Sequence, residues 1–192
     1  MKHTLRTFVA VELNATNRAC AGKLIESLKT VPADVKWVEP ENLHLTLKFL
    51  GEVKSQETAR VCEAVKRGAA AVQPFELELR GAGAFPNVFR PRTLWLGAGK
   101  GEAEMIDLHD RIETALTKFG YRKERRRFCP HLTIGRVRRG GPGVGELAQL
   151  MEQHADFDAG RLSVRQVAVF SSQLTNSGPI HEILGRSGLG GK

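Results

Sequence analysis

The chain has little of what would place it outside the cell or in a membrane. Its 192 residues include three cysteines, two tryptophans and one tyrosine. Cys20, Cys62 and Cys129 form no CxxC pair, and an odd number cannot all pair within one chain. That argues against a disulfide scaffold and for reduced thiols in a cytoplasmic compartment. No apolar run approaches the roughly 20 residues that cross a bilayer. The segment Met1 to Glu12 has too short an apolar stretch for a signal peptide, and Glu12 interrupts it, so it reads as a strand starting almost at residue 1. Acidic residues are also short, 21 against 29 lysines and arginines, which leaves a net charge of +8. The basic side chains bunch at Arg122, Lys123, Arg125, Arg126 and Arg127, then at Arg136, Arg138 and Arg139. Such a run is often a solvated face, but beside a reactive site it favours a polyanion, most simply nucleic acid.

What the chain does have is one short motif written twice. His44-Leu45-Thr46-Leu47 returns as His131-Leu132-Thr133-Ile134. Side chains alternate across an extended strand. His44 and Thr46 are therefore expected on one face, with Leu43, Leu45, Leu47 and Phe49 on the other. His131 and Thr133 likewise oppose Leu132 and Ile134. Each unit reads as a strand with its back in a core and an imidazole plus a hydroxyl in front.

The motif belongs to a longer repeat. An apolar strand, Leu5 to Val11, precedes the first copy, and Arg92 to Gly97 precedes the second. A helical stretch lies between strand and motif in each half. Asn14 suits the cap of the first, and Gly120 the end of the second. A second helix follows each motif, one near Ser55 and one after the Gly140-Gly141-Pro142-Gly143 breaker. A further strand then closes each half, Phe75 to Leu79 and Leu162 to Phe170, and a last strand runs from Ile180 to Leu184. Duplicated βαβαβ units commonly pack about a pseudo-two-fold axis, which would bring the two motif strands together with both His-Thr faces lining one groove. Residues 1–185 form one bilobal domain in this reading, and 186–192 a flexible tail.

Two imidazoles facing one groove suit the opening of a cyclic phosphodiester by water. One takes a proton from water and the other gives a proton to the departing alkoxide. An unperturbed pKa of about 6.5 fits both tasks. The Thr46 and Thr133 hydroxyls can donate to the non-bridging oxygens, where charge builds up. Two histidines alone make a poor metal site, and neither motif adds a carboxylate or thiolate at ligand spacing, so no metal and no other cofactor is expected. Cys129 stands two residues before His131, yet nothing local demands a thiol nucleophile. His3, His109 and His154 read as surface or helix-face residues.

The resemblance extends beyond the motif pair. Arg6 to Val11, Trp37 to Gly51, Phe85-Pro86 with Pro91 to Gly97, and Phe128 to Arg136 all resemble signatures of the two-histidine (2H) phosphoesterase superfamily, in its RNA 2′,3′-cyclic phosphodiesterase branch, historically called 2′-5′ RNA ligase. The resemblance implies a bilobal α+β fold of duplicated βαβαβ units, with two antiparallel sheets lining a central groove and helices outside, and metal-free hydrolysis of an RNA 2′,3′-cyclic phosphate end to a 2′-phosphate. It implies His44 as proton donor, His131 as proton acceptor, and Thr46 and Thr133 as phosphate-binding residues. Arg127, Arg136 and Phe85 are further candidates for substrate contact, and Phe89 and Trp37 for stacking a base. The partner implied is RNA ending in a cyclic phosphate, tRNA fragments being one candidate. A monomer with no membrane association is expected. Where the family usually has an aromatic residue, often Tyr, after its last glycine turn, this chain has His181. Two rival readings remain open from sequence: a phosphodiesterase for small cyclic nucleotides or 2′-5′ linkages, and a non-catalytic RNA-binding module. No nucleotide-activating lysine motif or P-loop is present to drive ligation.

Overall fold

The computed structural model describes residues 4–175 and 178–191. Met1 to His3, where the first strand was expected to begin, lie outside them, as do Asn176, Ser177 and Lys192. The first motif half runs β1 (Thr4–Glu12), α1 (Ala15–Leu28), β2 (Val35–Trp37), β3 (His44–Lys54) and α2 (Thr58–Ala70), then β4 (Phe75–Phe85). The second runs β5 (Thr93–Ala98), α3 (Glu102–Thr117), β6 (His131–Val137), α4 (Val144–Gln153) and β7 (Asp158–Val164). The hairpin β8 (Gln166–Thr175) and β9 (Gly178–Gly188) follows. The Asn14 side chain accepts from the Asn17 N–H at 2.8 Å and caps α1. Gly120 takes a left-handed φ of 92° just beyond α3, where a side chain would be strained.

The strands form two antiparallel sheets, ordered β3-β1-β8-β9 and β2-β6-β5-β4-β7. The fold class is the expected α+β. The run β6-β5-β4-β7 has the same place in its sheet that β3-β1-β8-β9 has in the other, with the motif strand at one end. The sequence halves, however, are not the sheets. β4 closes the first half of the chain but pairs with β5 and β7, and β8 crosses back to pair with β1. The single strand expected from Leu162 to Phe170 is in fact two strands in different sheets, broken at Arg165. Helices cross over too: α1, which follows β1, packs on β6, β7 and α4. α2 lies against β8, β9 and α3. The α2–α3 approach is close at Gly68, where an added Cβ would stand 2.7 Å from the Ile112 Cα.

Aliphatic residues from both sheets and all four helices, among them Leu24, Leu45, Leu77, Leu96, Ile112 and Leu132, form one continuous core. The expected tail is structure instead: β9 extends to Gly188, Leu189 is buried, and Arg186 makes two bonds to Glu12 at 2.8 and 3.0 Å. A strand buries one row of side chains and pairs its backbone, so residues 186–189 are held in place.

Both motif strands carry a β-bulge just after the motif. Along β3 the pairing steps from Ala10–Thr46 to Val9–Lys48, which makes Leu47 the extra residue. Along β6 it steps from Trp95–Thr133 to Leu94–Gly135, which makes Ile134 the extra residue. A bulge reverses the facing of every residue beyond it. Phe49, expected in the core, is therefore 62% exposed, and Lys48 is buried at 3%.

Candidate active site

The bulges bring Phe49 from β3 and Arg136 from β6 to one groove beside the motif residues His44, Thr46, His131 and Thr133. The groove has a volume of about 490 Å³. The edges of the two sheets meet there, so residues far apart in sequence converge on one site.

Both histidines are oriented by the same backbone device. His44 Nδ1 lies 2.7 Å from the Asn42 carbonyl, and His131 Nδ1 lies 2.8 Å from the Cys129 carbonyl. A carbonyl only accepts, so Nδ1 carries the proton in each ring and Nε2 is the nitrogen left for substrate. Cys129 thus serves through its main chain. Burial, with Glu102 adding to it, pushes its thiol up despite Arg127, which disfavours a thiolate nucleophile.

The surroundings of the two rings differ. His44 stacks on Phe8 at 4.7 Å between centroids, Phe8 stacks on Phe170 at 5.0 Å, and His181 meets His44 edge-on at 5.4 Å. Burial among these rings pulls His44 down to about 4, against the bond to Asn42; a smaller downward push comes from His181. Among the described residues His131 has one ring neighbour, Phe85, edge-on at 5.0 Å. Burial also lowers His131, and Arg136 lowers it further. Arg136 itself reaches the Thr93 hydroxyl at 3.3 Å.

Lys48, at the buried side of the groove lining, places Nζ 2.5 Å from Glu113 on α3 and donates to the Arg122 carbonyl at 3.1 Å. Glu113 also accepts from the Glu124 N–H at 2.8 Å. Burial raises the Glu113 carboxyl, but Lys48 and the Glu124 N–H outweigh it and hold the group below its usual range. This buried pair ties β3 to the strap 121–130 that leads into His131.

Of the residues expected to touch substrate, Arg136 lines the groove and Phe85 touches His131. Arg127 is exposed and is not among the lining residues. Phe89 is 69% exposed away from this groove, and Trp37 packs over Gly135, half-buried. His109 corrects the surface reading: it is buried against Phe128, rings 4.1 Å apart and nearly parallel. Sequence reasoning missed Phe8 and Phe170. Their alternation looked like ordinary core, and only the β1–β3 and β1–β8 pairing shows that they flank an imidazole. Among the described residues, no three His, Cys, Asp or Glu side chains group as metal ligands, and no helix is long and apolar enough to cross a membrane.

Comparison with known proteins agrees with this geometry. An RNA 2′,3′-cyclic phosphodiesterase of Methanothermobacter thermautotrophicus is 38% identical over 177 residues, 92% of this chain and 95% of that protein. One of the same name from Thermotoga maritima is 32% identical over 180 residues, 94% of this chain and 93% of that protein. The crystal structure of TT0787 from Thermus thermophilus superposes with a TM-score of 0.77, covering 98% of this chain and all of that one at 28% identity. The 2′-5′ RNA ligase superfamily pattern matches residues 18–176, and on these grounds the chain belongs to that family, the two-histidine phosphoesterases.

Proposed function

We propose that the protein hydrolyses RNA 2′,3′-cyclic phosphate ends to 2′-phosphate ends, without a metal, using His44 as acid and His131 as base. The observation that carries this is the matched pair of imidazoles at one groove, each with Nδ1 fixed by the carbonyl two residues earlier and each followed by a threonine. The relatives' shared name, RNA 2′,3′-cyclic phosphodiesterase, supports the substrate. His131 Nε2 takes a proton from water as the water oxygen bonds to phosphorus. His44 gives its Nε2 proton to O3′ as the P–O3′ bond breaks. The Thr46 and Thr133 hydroxyls donate to the non-bridging oxygens.

Arg136 and Phe8 favour this division of roles, and burial of His44 opposes it. Arg136 disfavours a second positive charge on His131, as suits a neutral base. The Phe8 face under His44 attracts an imidazolium. Burial holds His44 neutral in the free protein, so the bound phosphodiester anion is what loads its proton. Product analysis on a short RNA ending in a 2′,3′-cyclic phosphate tests the reading. Phosphorus NMR should show a 2′-phosphate, and excess EDTA should leave the rate unchanged. A 3′-phosphate would reverse the acid's target, and loss of activity on chelation restored by a divalent ion would end the metal-free reading.

A further inference from the structure

A second groove, about 990 Å³, opens from the catalytic one; His44, Arg136 and His181 line both. Its two walls differ in chemistry. One wall comes from α1, β2 and the end of β6 and carries Arg18, Lys36, Arg136 and Arg138. The other is the β8–β9 hairpin, which presents Leu174, Ile180 and Ile183, at 64%, 52% and 37% exposure. These are three of the five large hydrophobic side chains most exposed among the described residues. Clustered exposed aliphatics mark a contact surface. Two polar atoms on this groove, Arg18 Nε and His181 Nδ1, are buried with no hydrogen-bond partner among the described residues. A buried polar atom without a partner is costly unless a ligand completes it. The acidic residues on the groove are Glu12, which Arg186 neutralises, and Glu39 and Glu41.

Resting on the reading under Proposed function, we infer that this groove holds the single-stranded RNA body leading to the cyclic end. Its phosphates would lie on the Arg18–Lys36–Arg138 wall and its bases on the Leu174–Ile180–Ile183 wall. A cationic track facing an apolar shelf suits a strand with unstacked bases, because a duplex hides its base faces. The assignment moves polyanion binding away from the strap residues Arg125 and Arg126, which line neither groove.

The test compares a cyclic-phosphate-ended hexanucleotide with a 2′,3′-cyclic mononucleotide. For K36E/R138E, the KM ratio of hexanucleotide to mononucleotide should rise by about tenfold, with a shallower salt dependence. I180S/I183S should raise that ratio by about threefold at unchanged salt slope, since base contacts carry no counterions. R125E/R126E should move it less than either. Dominance of the strap variant, or equal turnover of a blunt duplex end and a single strand, would overturn the inference. Failure of the wild type to turn over the cyclic mononucleotide would instead count against the proposed reaction. Circular dichroism and the mononucleotide rate confirm that each variant is folded.

Discussion

At the residue after the bulge, β3 carries buried Lys48 and β6 carries Gly135; one position further, β3 carries Phe49 and β6 carries Arg136. The backbone is repeated and the side chains are not. Gly135 leaves room for Trp37, whose ring atoms would stand 2.9 Å from an added Cβ. Lys48 instead reaches back to hold the strap before His131. The partner of Phe49 across the ladder is Phe8, and that of Arg136 is Thr93. One lobe thus packs its histidine among several rings, and the other sets its histidine between the Phe85 edge and the Arg136 guanidinium. A duplicated backbone gives two imidazoles the same orientation, and divergent neighbours give them different electrostatic surroundings.

The two lobes differ most at the unmatched lysine. Lys48→Met leaves Glu113 buried without its cation and should cost about 3 kcal/mol of stability, read by urea denaturation. A loss under about 1 kcal/mol would mean the pair is solvated. Lys48→Met with Glu113→Leu should recover much of the loss, because an apolar pair of similar volume needs no countercharge.

Removing either imaginary symmetry partner tests whether both imidazoles work. His44→Ala and His131→Ala should each lower kcat by at least about 10²-fold, with RNA binding changed far less. Near-normal turnover in either variant would take that histidine out of the mechanism.

Free-protein titration separates the lobes directly. By imidazole NMR, His44 should titrate near 4 and His131 below its ordinary 6.5. For His44 the folded value lies below the unfolded one, so the unfolded chain binds the extra proton between about 6.5 and 4. Its contribution to stability is whole above about 6.5 and fades as the pH falls towards 4. His44→Gln should therefore flatten the loss of stability across that window.

The smallest expected effect is the most specific. Arg136→Met removes a positive charge beside His131 and should raise that group's pKa, burial remaining the larger influence. In the kcat profile the acid limb should move up and the alkaline limb should stay. Movement of the alkaline limb would exchange the roles of the two histidines.

Much of this was legible in the sequence. The motif repeat, the Asn14 cap and the two helices of each half follow from local spacing, and the α+β class from the family resemblance. So does the placement of the His and Thr pairs on one face. The bulges at Leu47 and Ile134 were not legible, because strict alternation fits the letters equally well and only the ladder shows where pairing slips. Phe49 and Lys48 were misplaced for that reason. The break at Arg165 was hidden similarly: Leu162 to Phe170 alternates without interruption, while its two parts belong to different sheets. His109 looked like a helix-face residue because its stacking partner, Phe128, is brought to it by the strap.

The exchange of β4 and β8 between sheets has a consequence for how the molecule comes apart. Each sheet takes strands from both ends of the chain, and α1 lies across the sheet opposite to its own β1. Neither lobe can melt alone, since losing one sheet removes strands and helix cover that complete the other. The protein should show a single heat-absorption peak, with calorimetric and van't Hoff enthalpies equal. Folding should be slow for its size, because β1 cannot be flanked until β8 has been made.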